Sequence, residues 1–193
     1  MPLTERLSSR VAAEALALAG SEPRGVPAVI DTNVVLDLIY WEDPHSEDLR
    51  RALEEGRIHA LRSGEAVMEL AEVLSRSAFT GDEDEAARLA ALWCSMSVPV
   101  DEEKIREAAD IITVQCRDPL DQKFFTLTLA GGAKLLVQRQ ARAQGRPQDE
   151  AIRRLRLPSR RDGGEARRAQ LSAYFAMAMT LTMIQRATMA KAT

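Results

Sequence analysis

One stretch constrains the chain more than any other. The apolar run Ala28-Val29-Ile30 stops at three polar residues, Asp31-Thr32-Asn33, and a helical pattern of apolar residues takes over from Val34 to Tyr40. A buried strand that ends in a polar turn and feeds a helix is the opening of an α/β unit. The pattern then recurs. Glu47 to Glu54 reads as a helix closed by Gly56, and Ile58-His59-Ala60-Leu61 as a short strand. Ser63 is placed to cap a helix from Gly64 to Arg76, in which Val67, Leu70, Val73 and Leu74 share a face by spacings of three and four. Asp82 to Trp93 and Glu102 to Ile112 are further amphipathic helices. Asp121 to Leu129 reads as a helix stopped by Gly131-Gly132, and Lys134 to Val137 as a strand. Strands alternating with helices predict a mostly parallel sheet covered by helices.

Ahead of this unit lies an amphipathic helix, Glu5 to Ala19, broken off by Gly20, Pro23, Gly25 and Pro27. Charge marks a second boundary. Residues 1–138 carry 25 Asp and Glu against 14 Lys and Arg, whereas residues 139–193 carry 4 acids against 12 bases. The net charge of −3 thus conceals −11 in the first part and +8 in the second. The expected organisation is an N-terminal helical extension (1–27), an α/β domain (28–138) and a basic C-terminal region (139–193).

Cys94 and Cys116 are too few for a disulfide framework and lack the spacing of a zinc site, so two reduced thiols are expected. No segment reads as a signal peptide. The apolar stretch Leu171 to Ile184 falls short of the roughly 20 residues that span a bilayer. The expectation is a cytoplasmic protein with no membrane association.

Parallel sheets bind ligands outside the carboxyl ends of their strands. Asp31 follows the first strand, Glu69 lies about two turns into the helix after the second, and Asp121 opens the helix before the last. Three carboxylates could therefore meet at one end of the sheet. An acidic cluster without His or Cys suits hard cations, Mg²⁺ or Mn²⁺, better than Zn²⁺. Each acid also has a plainer reading: Asp31-Thr32-Asn33 as a turn and helix cap, Glu69 as an exposed helix residue, and Asp121 as a charge favoured near a helix N-terminus. Asp118 reads as a turn former before Pro119, and Asp37 as a solvent-exposed acid with a lesser claim on the site. His45 and His59 have neither ligand spacing nor a neighbouring nucleophile, so both are expected to be structural or surface residues.

The segment from Val29 to Leu36 resembles the opening signature of PIN domains. Glu69-Leu70 with Val73-Leu74 is similar to the family's second acidic motif. Cys116 to Phe124, continuing to Gly131-Gly132-Ala133-Lys134-Leu135-Leu136-Val137, resembles the third motif and the strand behind it. The resemblance spans roughly 28 to 138 and looks closest to toxin components of toxin–antitoxin pairs. It implies a Rossmann-like fold and a metal-dependent endoribonuclease with Mg²⁺ or Mn²⁺. Asp31, Glu69 and Asp121 match the metal-binding, catalytic acids. Thr32 and Asn33 match residues that brace the first Asp, and Ser63 a small polar residue near the site. The implied partners are an RNA substrate and an antitoxin, with a homodimer left open. After Val137 the chain departs from the family. Where relatives carry a fourth acid, this sequence reads Gln138-Arg139-Gln140, and neutral Gln140 would bind a hard cation far more weakly.

Arg139 to Gln170 holds ten Arg and no Lys, which suits contact with RNA phosphates, although no aromatic residue interleaves to stack on bases. A solvated segment fits the same composition. A Met-rich helix from Leu171 to Ile184 and a fold lacking its last family element are further expectations. No Gly-rich phosphate loop and no G-x-S-x-G elbow is present. Two functions stay open: an endoribonuclease, or a degenerate PIN-like protein that binds RNA or a protein partner without catalysis; a more distant alternative, a phosphatase or other acidic-site hydrolase on a similar scaffold, has no specific motif here.

Overall fold

The computed structural model describes residues 4–112, 116, 118–138, 151–154 and 183–184. Its strands are β1 (Val26–Ile30), β2 (Ile58–Arg62), β3 (Ser97–Pro99), β4 (Leu135–Gln138), β5 (Ala151–Arg154) and β6 (Met183–Ile184). They form one sheet in the order β3-β2-β1-β4-β5-β6. The first four pair in parallel, Val29 standing beside Leu61 on one side and Leu136 on the other. The last two continue the sheet antiparallel.

Among the described residues seven α-helices accompany the sheet: α1 (Glu5–Arg10), α2 (Thr32–Ile39), α3 (Glu47–Glu54), α4 (Gly64–Ser75), α5 (Glu83–Met96), α6 (Glu102–Ile111) and α7 (Gln122–Gly131). Side chains alternate across a strand, so neighbouring residues must bury in different places. Ile30, Ala60 and Val137 join a core with α2, α3, α4 and α5. Val29, Leu61 and Leu136 join a second core with Phe124, Phe125 and Leu127 of α7. Apolar residues on both faces are what a parallel sheet covered on both sides requires.

Three expectations change here. The short strand β3, unread in the sequence, pairs with β2 at Ala60, Leu61 and Arg62. Ala151–Arg154 is a strand, although this part of the basic region was read as a phosphate-binding or solvated arm. Met183–Ile184 is also a strand, where a helix was expected, because antiparallel pairing to β5 recruits it to the sheet. The rest of the basic region, including Gln140, lies outside the described residues.

The N-terminal segment belongs to the core. From α1 the chain continues as a π-helical turn, Val11–Leu16, ending three residues short of the expected Ala19. Leu7, Val11 and Ala15 are fully buried in the same cluster as Trp93 and Cys94 of α5. Arg62 then pins the connection to β1. Its guanidinium, 2% exposed, donates to the carbonyls of Cys94 and Ser97 at 2.5 Å each and to that of Leu18. The Cys94 carbonyl belongs to the last turn of α5, where the helix dipole favours a cation. Gly20 is required beside this arginine. Its φ is +83°, and a Cβ there would stand 1.9 Å from the Ser97 carbonyl oxygen.

Candidate functional site

Strand order reverses between β1 and β4: the chain moves outward from β1 through β2 to β3, then returns to β1's other side as β4. Such a switch leaves a crevice at the carboxyl ends of the two strands. Asp31 occupies this position. Its backbone N–H donates to the Val137 carbonyl at 2.9 Å, and the residue is 7% exposed. Its side chain also caps α2, accepting from the Asn33 backbone N–H at 2.9 Å and from Asn33 Nδ2 at 3.2 Å. Capping and a site role are therefore compatible, since both donors converge on Oδ1 and neither takes Oδ2. Thr32, the first residue of α2, is buried beside it.

Burial and neighbouring charges shift two of the three motif acids, Asp31 and Asp121. Burial raises the Asp31 carboxyl above its ordinary range, the Asn33 hydrogen bonds oppose this, Glu69 adds to it and Lys123 opposes it. The Asp121 carboxyl is raised by burial first, then by Asp31, Asp118 and Glu69, against Lys123. Like charges disfavour each other's ionised form, so Glu69 is felt at Asp31, and both are felt at Asp121. Asp121 closes a short 3₁₀ turn, Pro119–Asp121, and its side chain makes no capping bond to α7. Asp118 does act as the turn former expected of it, accepting from the Leu120 N–H at 3.0 Å. Ser63 caps α4 by accepting from the Ala66 N–H at 3.2 Å.

Glu69 is the surprise. Its carboxylate forms an ion pair with the ammonium of Lys123, which lies within the third motif and has no role that the sequence assigns. The pair ties α4 to α7, which pack into different cores. Nothing within a few residues of either side chain signals this contact. Asp37, expected in solvent, is 2% exposed, because the apolar face of α2 turns it inward with Val34 and Leu38. His45 is exposed, and His59 Nδ1 lies 2.8 Å from the Arg24 carbonyl oxygen, far from any nucleophilic arrangement. Cys94 and Cys116 are both free thiols.

A family model described as PIN domain matches residues 27–141. The chain belongs to the PIN-domain family. No curated protein and no solved structure matches it. PIN domains are a nuclease-type family and generally use divalent metal ions. The donor chemistry of this PIN domain, carboxylate oxygens without His or Cys, suits such an ion. The arrangement does not. Among the described residues no three His, Cys, Asp or Glu side chains are grouped so as to hold a metal ion, and a lysine ammonium sits on Glu69. Nor, among the described residues, is any helix long and apolar enough to cross a membrane.

Proposed function

We propose that this PIN domain is an endoribonuclease that works with Mg²⁺ or Mn²⁺ and serves as the toxin of a toxin–antitoxin pair. The observation that supports it best is the buried carboxylate of Asp31 at the switch point of the sheet, with its N–H bonded to the Val137 carbonyl of β4. Asp31, Glu69 and Asp121 are the acids that match the family's motifs. In this reading Asp31, Glu69 and Asp121 form the cation-binding, catalytic set. Asn33 and Thr32 hold Asp31 in place, while Ser63 and Asp118 support the helices that carry the others. RNA is the substrate, an antitoxin is the protein partner, and the cytoplasm is the compartment.

The neutral Gln140 favours a second reading, in which activity is weak or lost and RNA or protein binding remains. Cleavage of a mixed RNA substrate in millimolar Mn²⁺ separates the two. The expected outcome is slow cleavage that disappears in Asp31→Asn and rises at least several-fold in Gln140→Asp. Cleavage that persists in Asp31→Asn would reveal a contaminating nuclease. Absence of cleavage from both the natural chain and Gln140→Asp would favour the binding protein.

A further inference from the structure

Three of the chain's eight aromatic side chains meet on one surface. Tyr40 and Trp41 close α2, and Phe79 follows α4. The Tyr40 and Trp41 rings meet edge to face with centroids 4.7 Å apart, and Phe79 lies 5.5 Å from Tyr40 and 5.9 Å from Trp41. Tyr40 and Phe79 are rooted in the core that α2 and α4 share, whereas Trp41 packs against both and is 55% exposed. Rings this close touch one another, so no ligand fits between them and what they offer is an outer face. The turn that leaves Trp41 outside is held by Glu42 at a φ of +47°, a conformation that bulky residues rarely adopt. α2 begins next to Asp31, and its eight residues at about 1.5 Å each carry the chain roughly 12 Å away. The aromatic surface therefore lies outside the crevice.

Charge narrows what can cover it. Residues 1–138 carry a net charge of −11. Glu42, which is exposed, follows Trp41 directly, and Asp82, also exposed, lies three residues beyond Phe79. The arginines near these helix ends are already committed. Arg50 donates to the Leu38 carbonyl at 2.6 Å and lies 3.7 Å from Glu47, and Arg76 pairs with Glu72 at 3.1 Å. An acidic rim repels RNA and a second copy of the same surface, and attracts a cation. The negative face of an indole adds to that attraction. We infer that Tyr40, Trp41 and Phe79 form a docking platform for a cationic segment of a partner protein, with an arginine guanidinium stacked on the Trp41 indole. Arginine suits the place better than lysine, because its planar, weakly hydrated cation stacks on a ring while its donors reach a neighbouring carboxylate. The inference goes beyond the nuclease reading and does not depend on it.

The probe is a fluorescein-labelled twelve-residue peptide of Arg, Leu and Ser in equal parts, titrated with the full chain at about 0.15 M salt and read by anisotropy. Trp41→Ala should weaken binding about fivefold, the worth of one exposed cation–π contact, and Glu42→Lys should weaken it at least as much. A peptide with Lys in place of Arg should bind several-fold more weakly, and one with Glu not at all. Asp31→Asn should leave the affinity unchanged. If circular dichroism shows Trp41→Ala to be unfolded, Trp41→Gln carries the same expectation. No binding of the Arg peptide, or equal affinity in the natural chain and the folded Trp41 variant, would overturn the platform, since the acidic body alone would then account for any attraction. Equal affinity for the Arg and Lys peptides would overturn the guanidinium stacking, and a loss in Asp31→Asn would move the peptide to the crevice. Labelled single-stranded RNA whose binding weakens in Trp41→Ala would make nucleic acid the occupant in place of a cationic partner. A dimer in sedimentation that Trp41→Ala dissolves would make it a second copy, and either result overturns the inference.

Discussion

Replacing Asp31 by Asn should make the protein more stable, not less. The carboxylate is 7% exposed, and burial raises its pKa above the ordinary 3.8 in spite of the Asn33 hydrogen bonds and Lys123. Folded Asp31 thus holds its proton to a higher pH than the unfolded chain does. Its contribution to stability is whole below about pH 3.8 and is lost as pH rises through the folded-state value. At neutral pH the protein keeps a charge that the fold disfavours. Asparagine resembles the neutral form, and its side-chain oxygen can still accept from the Asn33 N–H, so the cap on α2 survives. The attraction between a carboxylate and the helix N-terminus, roughly 0.3–1 kcal/mol, is given up. It is already counted in the net upward shift, because that shift compares charged and neutral forms in place. A stabilising substitution typically yields about 1 kcal/mol, which raises Tm by roughly 2–4 °C in a chain of this size. Thermal unfolding followed by circular dichroism without divalent ions, at pH 7 and in steps down to pH 4, reads both the sign and the pH dependence. The gap between the two proteins should be widest at pH 7 and narrow toward pH 4. A variant less stable at pH 7, or a gap indifferent to pH, would refute the reasoning.

Two further expectations concern the packing that carries the site. Leu7→Ala, at a side chain 1% exposed, should cost about 2–5 kcal/mol in urea unfolding; a cost below about 1 kcal/mol would show the N-terminal helix to be a dispensable appendage. Arg62→Met leaves the buried carbonyls of Cys94 and Ser97, and the partly exposed one of Leu18, without their guanidinium donor, and at about 1–3 kcal/mol for each of the two buried groups left unsatisfied the loss should reach roughly 2–6 kcal/mol. Full stability in that variant would mean that the carbonyls find other donors.

Much of the frame was legible because its causes are local. The helix from Glu47 to Glu54 has the bounds that its pattern and Gly56 indicate. Ser63 caps α4 and Asp31 caps α2 with hydrogen bonds that span only two or three residues. The alternation of Val29 with Ile30, and of Leu136 with Val137, between the two cores follows from strand geometry alone. The order of the acidic motifs was likewise written in the chain, and with it the family.

Tertiary structure decided the rest. Ser97-Val98-Pro99 carries too short a pattern to announce a strand, and becomes one only through its pairing with β2. Asp37 goes inward because α2 is covered, which no count of its neighbours in sequence reveals. The sequence separation of 54 from Glu69 to Lys123 is closed by the ion pair between α4 and α7. Local hydrogen bonds and hydrophobic periodicity act within a turn or a strand, so sequence alone determined the elements and the kinds of side chain at their ends. The pKa directions of Asp31 and Asp121 and the Lys123–Glu69 pair depend on burial and on partners brought from afar, and those exist only once the chain has packed.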